Sequence, residues 1–159
     1  QDPSAGHVYV GEAKAGTVEA RRAVSYLSDT PAFFSDLSVQ EHAEYVAGLF
    51  HDRKVLDRAS LILERFGLAA RRHARPDTFS RGMKQKVAIS LALARPAEVV
   101  LMDEPTRGLD SDGAETLVAI LEEHHSAGTT IVTVTHEADR FLRSDAVSIQ
   151  VSEGCVHCG

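Results

Sequence analysis

The sequence is poor in cysteine, carries no block of positive charge and has no long apolar run. Its two cysteines are too few for a disulfide scaffold, so a reducing compartment is the default. Lys plus Arg number 17 against 23 Asp plus Glu, a net charge of −6. An acidic chain without a basic block argues against nucleic-acid binding through the phosphate backbone. No apolar stretch approaches the ~18 residues that suggest a membrane span. The first residues carry no signal-peptide pattern. There is no internal repeat and no low-complexity linker. Nor is there a starting methionine: Gln1 runs straight into the turn-like Asp2-Pro3-Ser4-Ala5-Gly6, which reads as the middle of a longer protein.

What is present supports a folded core. Hydrophobic residues make up 43% of 159 positions, about the size of one domain. The first thirty residues read as short β segments, His7 to Val10 and Arg22 to Leu27, around a Gly-rich turn. Ser38 with Glu41 three residues later is a capping box and predicts a helix start. Val39, Ala43, Val46 and Phe50 then recur at helical spacing. Val55, Leu56, Ala59, Ile62, Leu63 and Phe66 form a second stripe closed by Gly67. Met83 to Arg95 is apolar nearly all round and predicts a buried helix. Val99 to Met102 and Ile131 to Val134 read as strands buried on both faces. Helices are expected over Glu115–His125 and Glu137–Arg143, and a last strand over Ala146–Val151. The alternation predicts an α/β fold, a mostly parallel sheet with helices on both faces.

Four short motifs carry chemistry. Val99 to Met102 ends in Asp103-Glu104. In an open parallel sheet ligands sit outside the carboxyl ends of strands, so Asp103 can hold Mg²⁺ and Glu104 can face another atom, such as an attacking water. Phe79-Ser80-Arg81-Gly82-Met83-Lys84-Gln85 opens the buried helix. Ser80 is a natural N-cap, and a helix amino end offers free N–H groups to phosphate. Gly108-Leu109-Asp110 follows the two acids, and Thr135-His136 closes the next strand. Taken singly, each has a plain structural explanation: a solvated strand end, a capped helix, a structural histidine.

Together they resemble the ATPase domain of ABC transporters, over nearly the whole chain. Residues 79–85 look like that family's signature, usually written LSGGQ, in a Met-Lys-Gln variant that leans towards export. Val99 to Glu104 looks like Walker B with the catalytic glutamate. Gly108-Leu109-Asp110 looks like the D-loop and His136 like the switch histidine. Residues 26–31 resemble the Q-loop. The resemblance implies a P-loop NTPase-like parallel sheet with an inserted helical subdomain. Residues 1–30 would be the antiparallel β region and Q-loop, 36–80 the helical subdomain, and 81–159 the signature helix, Walker B, D-loop, switch histidine and last strands. It implies ATP and Mg²⁺ as cofactors, with Asp103 and Asp29 on the metal, Glu104 polarising water and His136 on the γ-phosphate. Ser80, Arg81, Gly82, Met83, Asp110 and Asp29 would contact nucleotide. The implied partners are a second ATP-binding domain in a head-to-tail dimer and a transmembrane permease. They would place the chain at the inner face of the cell membrane, hydrolysing ATP to drive transport. DNA-repair ATPases, translation factors and a non-catalytic fragment are the alternatives.

Three departures qualify the match. The string Gly11-Glu12-Ala13-Lys14-Ala15-Gly16-Thr17-Val18 has P-loop glycine spacing but lacks Lys-Ser/Thr, and reads as a turn. The Walker A strand and helix are therefore expected upstream of Gln1, and these 159 residues alone are expected not to hydrolyse ATP. Asp29 stands where the family usually has Gln, keeping an acceptor but losing a donor. Arg81 replaces the first glycine of the signature and either meets the triphosphate or points to solvent. Cys155-Val156-His157-Cys158 has no second ligand pair for a zinc site and reads as a terminal strand.

Overall fold

A computed structural model describes residues 3–142, 146–152 and 155–158. Three parallel strands form the centre, β3 (Val24–Leu27), β4 (Val99–Asp103) and β5 (Thr130–Val134), side by side in that order. Val24, Val99 and Thr130 stand in register at one end, and Leu27, Met102 and Thr133 near the other. All three strands therefore deliver their following loops to the same edge.

Two hairpins lie outside this sheet. β1 (Tyr9–Val10) pairs antiparallel with β2 (Ala13–Lys14), and β6 (Ile149–Ser152) with β7 (Cys155–Cys158). Only the first hairpin of residues 1–30 is antiparallel, because β3 joins the parallel sheet. A six-residue helix, α1 (Val18–Ala23), precedes it where the sequence pattern had predicted strand from Arg22. Thr17 caps that helix by accepting from Ala20 N–H, and Arg21 and Arg22 sit in its last turn. Local capping thus overrides the β-like composition.

The capping box forms as predicted. α2 (Val39–Phe50) starts at Ser38, whose hydroxyl accepts from Glu41 N–H while the Glu41 carboxylate accepts from Ser38 N–H at 2.7 Å. The Ser38 hydroxyl, 2.6 Å from the same carboxylate, and after it the Ser38 N–H hold the Glu41 carboxyl below the usual carboxylate range. α3 (Lys54–Arg65) follows, and Gly67, in the left-handed region, turns the chain away. α2 and α3 meet α4 (Arg81–Ala94) through small residues, Ala43, Ala47, Val55, Ala59 and Ala94, all buried. Small side chains let helices approach closely, which gathers 39–94 into one helical layer.

The main core lies between α4, α5 (Ser111–Ser126) and one face of the sheet. Ile89 and Leu93 from α4, Leu117 and Ile120 from α5, and Val100 and Met102 from β4 are fully buried together. Ser25 on that face donates to the Ala92 carbonyl at 2.7 Å, pinning β3 to α4. α5 begins four residues earlier than its hydrophobic stripe, because Asp110 caps it by accepting from Gly113 N–H.

Helices on both faces were expected, and among the described residues they cover one. On the other face Tyr26, Val132 and Val134 are 59%, 46% and 62% exposed. Leu101, in register between Tyr26 and Val132, is half-buried. Continuous apolar composition is compatible with two covered faces but cannot supply the second cover. The helix expected over Glu137–Arg143 is a single tight turn, Ala138–Arg140, and Arg143 lies outside the described residues, as do Gly154 and Gly159. The last strand starts later than expected, and it pairs with β7 rather than extending the parallel sheet.

Two outcomes are expected. Ser38→Ala should cost about 1 kcal/mol in chemical denaturation. Because Glu41's folded value is depressed, its contribution is present above the unfolded carboxylate range and fades as pH falls through the folded value. The Ser38→Ala deficit should therefore shrink in acid. In the isolated chain, Val132→Thr with Val134→Thr should reduce binding of an apolar fluorescent dye, since these side chains form the open face. Unchanged dye binding would show that face to be covered in solution.

Candidate functional site

The parallel register brings Asp29, Asp103-Glu104 and Thr135-His136 to one sheet edge. Each follows a strand by no more than two residues. Glu104 N–H donates to the Val134 carbonyl at 2.8 Å, extending the ladder one step past Asp103. Glu104 then turns in the left-handed region, at φ 45°. A non-glycine side chain is rarely held there, and where it is, the surroundings must enforce it.

The carboxylate of Glu104 is engaged by the next loop. His136 N–H donates to Oε1 at 3.0 Å, and the His136 ring nitrogen Nε2 lies 3.7 Å from the same oxygen. The Thr135 hydroxyl faces Oε2 at 3.4 Å and accepts from Glu137 N–H at 3.0 Å. Glu104 is mostly enclosed, whereas the His136 side chain is almost fully exposed. The glutamate is thus fixed and the imidazole open to a ligand.

The predicted signature segment packs on the turn that follows Glu104. Ser80 caps α4 by accepting from Met83 N–H at 3.3 Å. Gly82 faces the turn after the acids so closely that a Cβ would fall 2.5 Å from the Gly108 carbonyl oxygen. Only glycine permits this approach, which gives the signature glycine a packing reason independent of any ligand. The Arg81 stem runs along Gly108, reaching 3.4–3.5 Å from where a Cβ there would stand. Between the two alternatives open for Arg81, the exposed side chain lies over the 108 peptide.

Asp29 and Asp110 differ from their expected freedom. Asp29 Oδ2 is paired with Arg107 Nη1 at 3.1 Å, so its added negative charge is already balanced. Asp110 Oδ1 meets Lys86 Nζ at 2.9 Å as well as Gly113 N–H. The Lys86 contact first, then the backbone donor, holds the Asp110 carboxyl below its ordinary range. Arg107 and Lys86 take part in the site with no role read for them from sequence, and Gln85 and Thr135 were named only as members of their motifs. Asp110 preceding an apolar stripe was a legible cap signal, whereas no local pattern joins Lys86 to a residue 24 positions away.

The Gly11–Val18 string is a hairpin and not a phosphate cradle. Gly11, at φ 57°, closes β1 onto β2, Ala15 N–H donates back to the Val8 carbonyl, and Gly16, at φ 91°, leads from β2 to the Thr17 cap of α1. Among the described residues no three His, Cys, Asp or Glu side chains gather as a metal cage.

Gly82→Ala is expected to destabilise the fold by about 1–3 kcal/mol, because the new methyl must displace backbone at 108. Thermal unfolding of the variant checks this; an unchanged midpoint would mean the two segments are not in contact.

A family model described as ABC transporter matches residues 1–107. The macrolide export ATP-binding/permease protein MacB of Hyphomonas neptunium is 36% identical over 126 residues, covering 79% of this chain and 17% of that protein. The MacB of Bradyrhizobium diazoefficiens is 40% identical over 130 residues, 82% of this chain and 19% of that protein. The chain spans under one fifth of the length of either relative. Among solved structures, an ATP binding subunit of an ABC transporter superposes with a TM-score of 0.73 at 30% identity, covering 77% of this chain and 53% of that one. The ATP-binding cassette MJ0796, in a dimeric post-hydrolysis state bound to ADP and Pi, superposes with a TM-score of 0.76 at 24% identity. It covers 88% of this chain and 66% of that one, a likeness of fold.

Proposed function

This chain belongs to the ABC transporter family, and we propose that it is part of an ATP-binding domain that hydrolyses ATP to drive transport across a membrane, in the direction of export. The observation that carries this is Glu104, held at the carboxyl end of β4 by the 135–136 loop, with the amino end of α4 packed on the turn that follows it. The names of the relatives, macrolide exporters, support the direction.

The residues divide the work by their chemistry. Phosphoryl transfer depends mainly on positioning and charge stabilisation. Asp103, half-buried at the end of β4, offers one hard oxygen ligand that suits Mg²⁺. Mg²⁺ commonly rests on one or two carboxylates together with phosphate oxygens, so the lack of a protein cage among the described residues fits it. When bound, the ion neutralises phosphate charge. Asp29 meets Arg107 through Oδ2, so its other oxygen could join Asp103 on the ion while that pair is kept. Glu104 orients and polarises the attacking water, and His136, almost fully exposed, contacts the γ-phosphate. Ser80, Arg81, Gly82 and Met83 at the amino end of α4 and Asp110 in the D-loop face nucleotide held by a second ATP-binding domain, head to tail. The helical layer of residues 36–80 docks on a permease. Among the described residues no helix is long and apolar enough to cross a membrane, so the spans would come from that permease and attachment would be peripheral, at the inner face.

DNA-repair ATPases and their chromosome-maintenance relatives share these motifs, but the chromosome-maintenance type interrupts the fold with long coiled coils. Between Asp29 and Ser80 the two α-helices, α2 and α3, are 12 residues each.

In the complete protein Glu104→Gln should lower ATP turnover by about 10²–10⁴-fold while nucleotide still binds. An unchanged turnover rate would remove Glu104 from the mechanism. The 159-residue chain, which contains no G-x-x-x-x-G-K-[ST] string, should show no appreciable Mg²⁺-dependent hydrolysis by itself.

A further inference from the structure

Gln85 ends the signature segment on α4 and Lys86 follows it, and each reaches a different end of the turn behind Glu104. Gln85 is buried, 2% exposed, and its side-chain amide donates to the Pro105 carbonyl at 3.2 Å. Pro105 is the residue next to Glu104, whose left-handed backbone has to be enforced from outside. One flank of Glu104 is held by β5 and its loop, through Val134 and His136. Gln85 holds the other flank from α4.

Lys86 closes the far end of the same turn. Its ammonium lies 2.9 Å from Asp110 Oδ1, on a side chain only 16% exposed. Room for that ion pair comes from Gly113, where a Cβ would fall 2.5 Å from the same oxygen and 2.8 Å from Lys86 Cε. Between the two points the chain folds on itself, Arg107 N–H to the Glu104 carbonyl at 3.0 Å and Leu109 N–H to the Thr106 carbonyl at 3.0 Å. Gly82, against Gly108, adds a third contact in the middle.

We infer that Gln85 and Lys86 are positioning residues that clamp segment 105–113 to α4, so that the placement of Glu104 depends on the placement of the signature helix. The inference rests on the hydrolytic role of Glu104. A displacement of the amino end of α4 is transmitted to Glu104 through the Pro105 carbonyl, with no intervening solvent-exposed link. Simple capping of α5 needs only Asp110 and Gly113 and gives no part to Gln85.

In the complete protein, Lys86→Met and Gln85→Leu should each lower kcat for ATP about 10- to 100-fold with KM unchanged. Lys86→Arg, which still presents a cation to Asp110, should restore most of kcat. Hydrogen exchange across residues 104–113 should accelerate in Lys86→Met and return towards wild type in Lys86→Arg. Asp110→Asn keeps the oxygen that caps Gly113 and removes the ion pair. Combined with Lys86→Met it should accelerate exchange over 104–113 no further than either change alone. An unchanged kcat in both Lys86→Met and Gln85→Leu, or additive acceleration of exchange in the double variant, would overturn the clamp. Should Gln85→Leu fail to fold, the Lys86 and Asp110 variants decide the matter. Should the wild-type protein hydrolyse no ATP, the role of Glu104 fails, and faster exchange over 104–113 in Lys86→Met still reports the clamp by itself.

Discussion

The close approach of α4 to the turn after β4 is the constraint on which the site depends. α4 is at once the most buried helix of the core and the carrier of the signature residues. Its inner side fills the space above the sheet with Val87, Ile89 and Leu93, while its amino end touches the turn at Gly82, Gln85 and Lys86. Well-packed interiors respond to a lost or added methyl group, so α4 cannot slide to suit a ligand without disturbing the core. The acids at 103–104 therefore inherit their position from hydrophobic packing more than from contacts of their own.

Electrostatics then adjust what packing has placed. Two cations on this edge are paired: Arg107 with Asp29 and Lys86 with Asp110. The exposed pair, Arg107 with Asp29, contributes only about 0–1 kcal/mol to stability. Its larger effect is on geometry and charge balance, because a site that receives a triphosphate gathers negative charge. An acid at position 29 becomes compatible with that charge when a guanidinium accompanies it. The open sheet face has the opposite character. Tyr26, Val132 and Val134 lie in contact with water, forgoing the roughly 25 cal/mol per Å² that burial would contribute. The core on the helical side thus carries most of the hydrophobic stabilisation among the described residues.

Much of this architecture was legible in the chain. Ser38 and Glu41 specify a helix start because both groups satisfy backbone donors locally. The stripes of α2 and α3 and the apolar runs of β4 and β5 announce their elements because side-chain periodicity follows backbone geometry. Less legible were α1, where six residues are held by one Thr17 cap, and the exposure of β5, whose Ile-Val-Thr-Val composition suits burial on either face. The P-loop-like spacing of Gly11 and Gly16 also shows how glycines that serve a hairpin mimic those that cradle phosphate.

By itself the sequence determined the central strands, the helices α2 to α5, the Ser38 and Ser80 caps and the four motifs, since each depends on residues within a few positions of one another. The tertiary structure alone decided which of those motifs touch. Glu104 meets His136 across 32 positions, Asp29 meets Arg107 across 78, and Gln85 meets Pro105 across 20. Such contacts depend on strand order, register and the burial of α4, which arise from the packing of the whole core and leave no periodic trace in the segments they join.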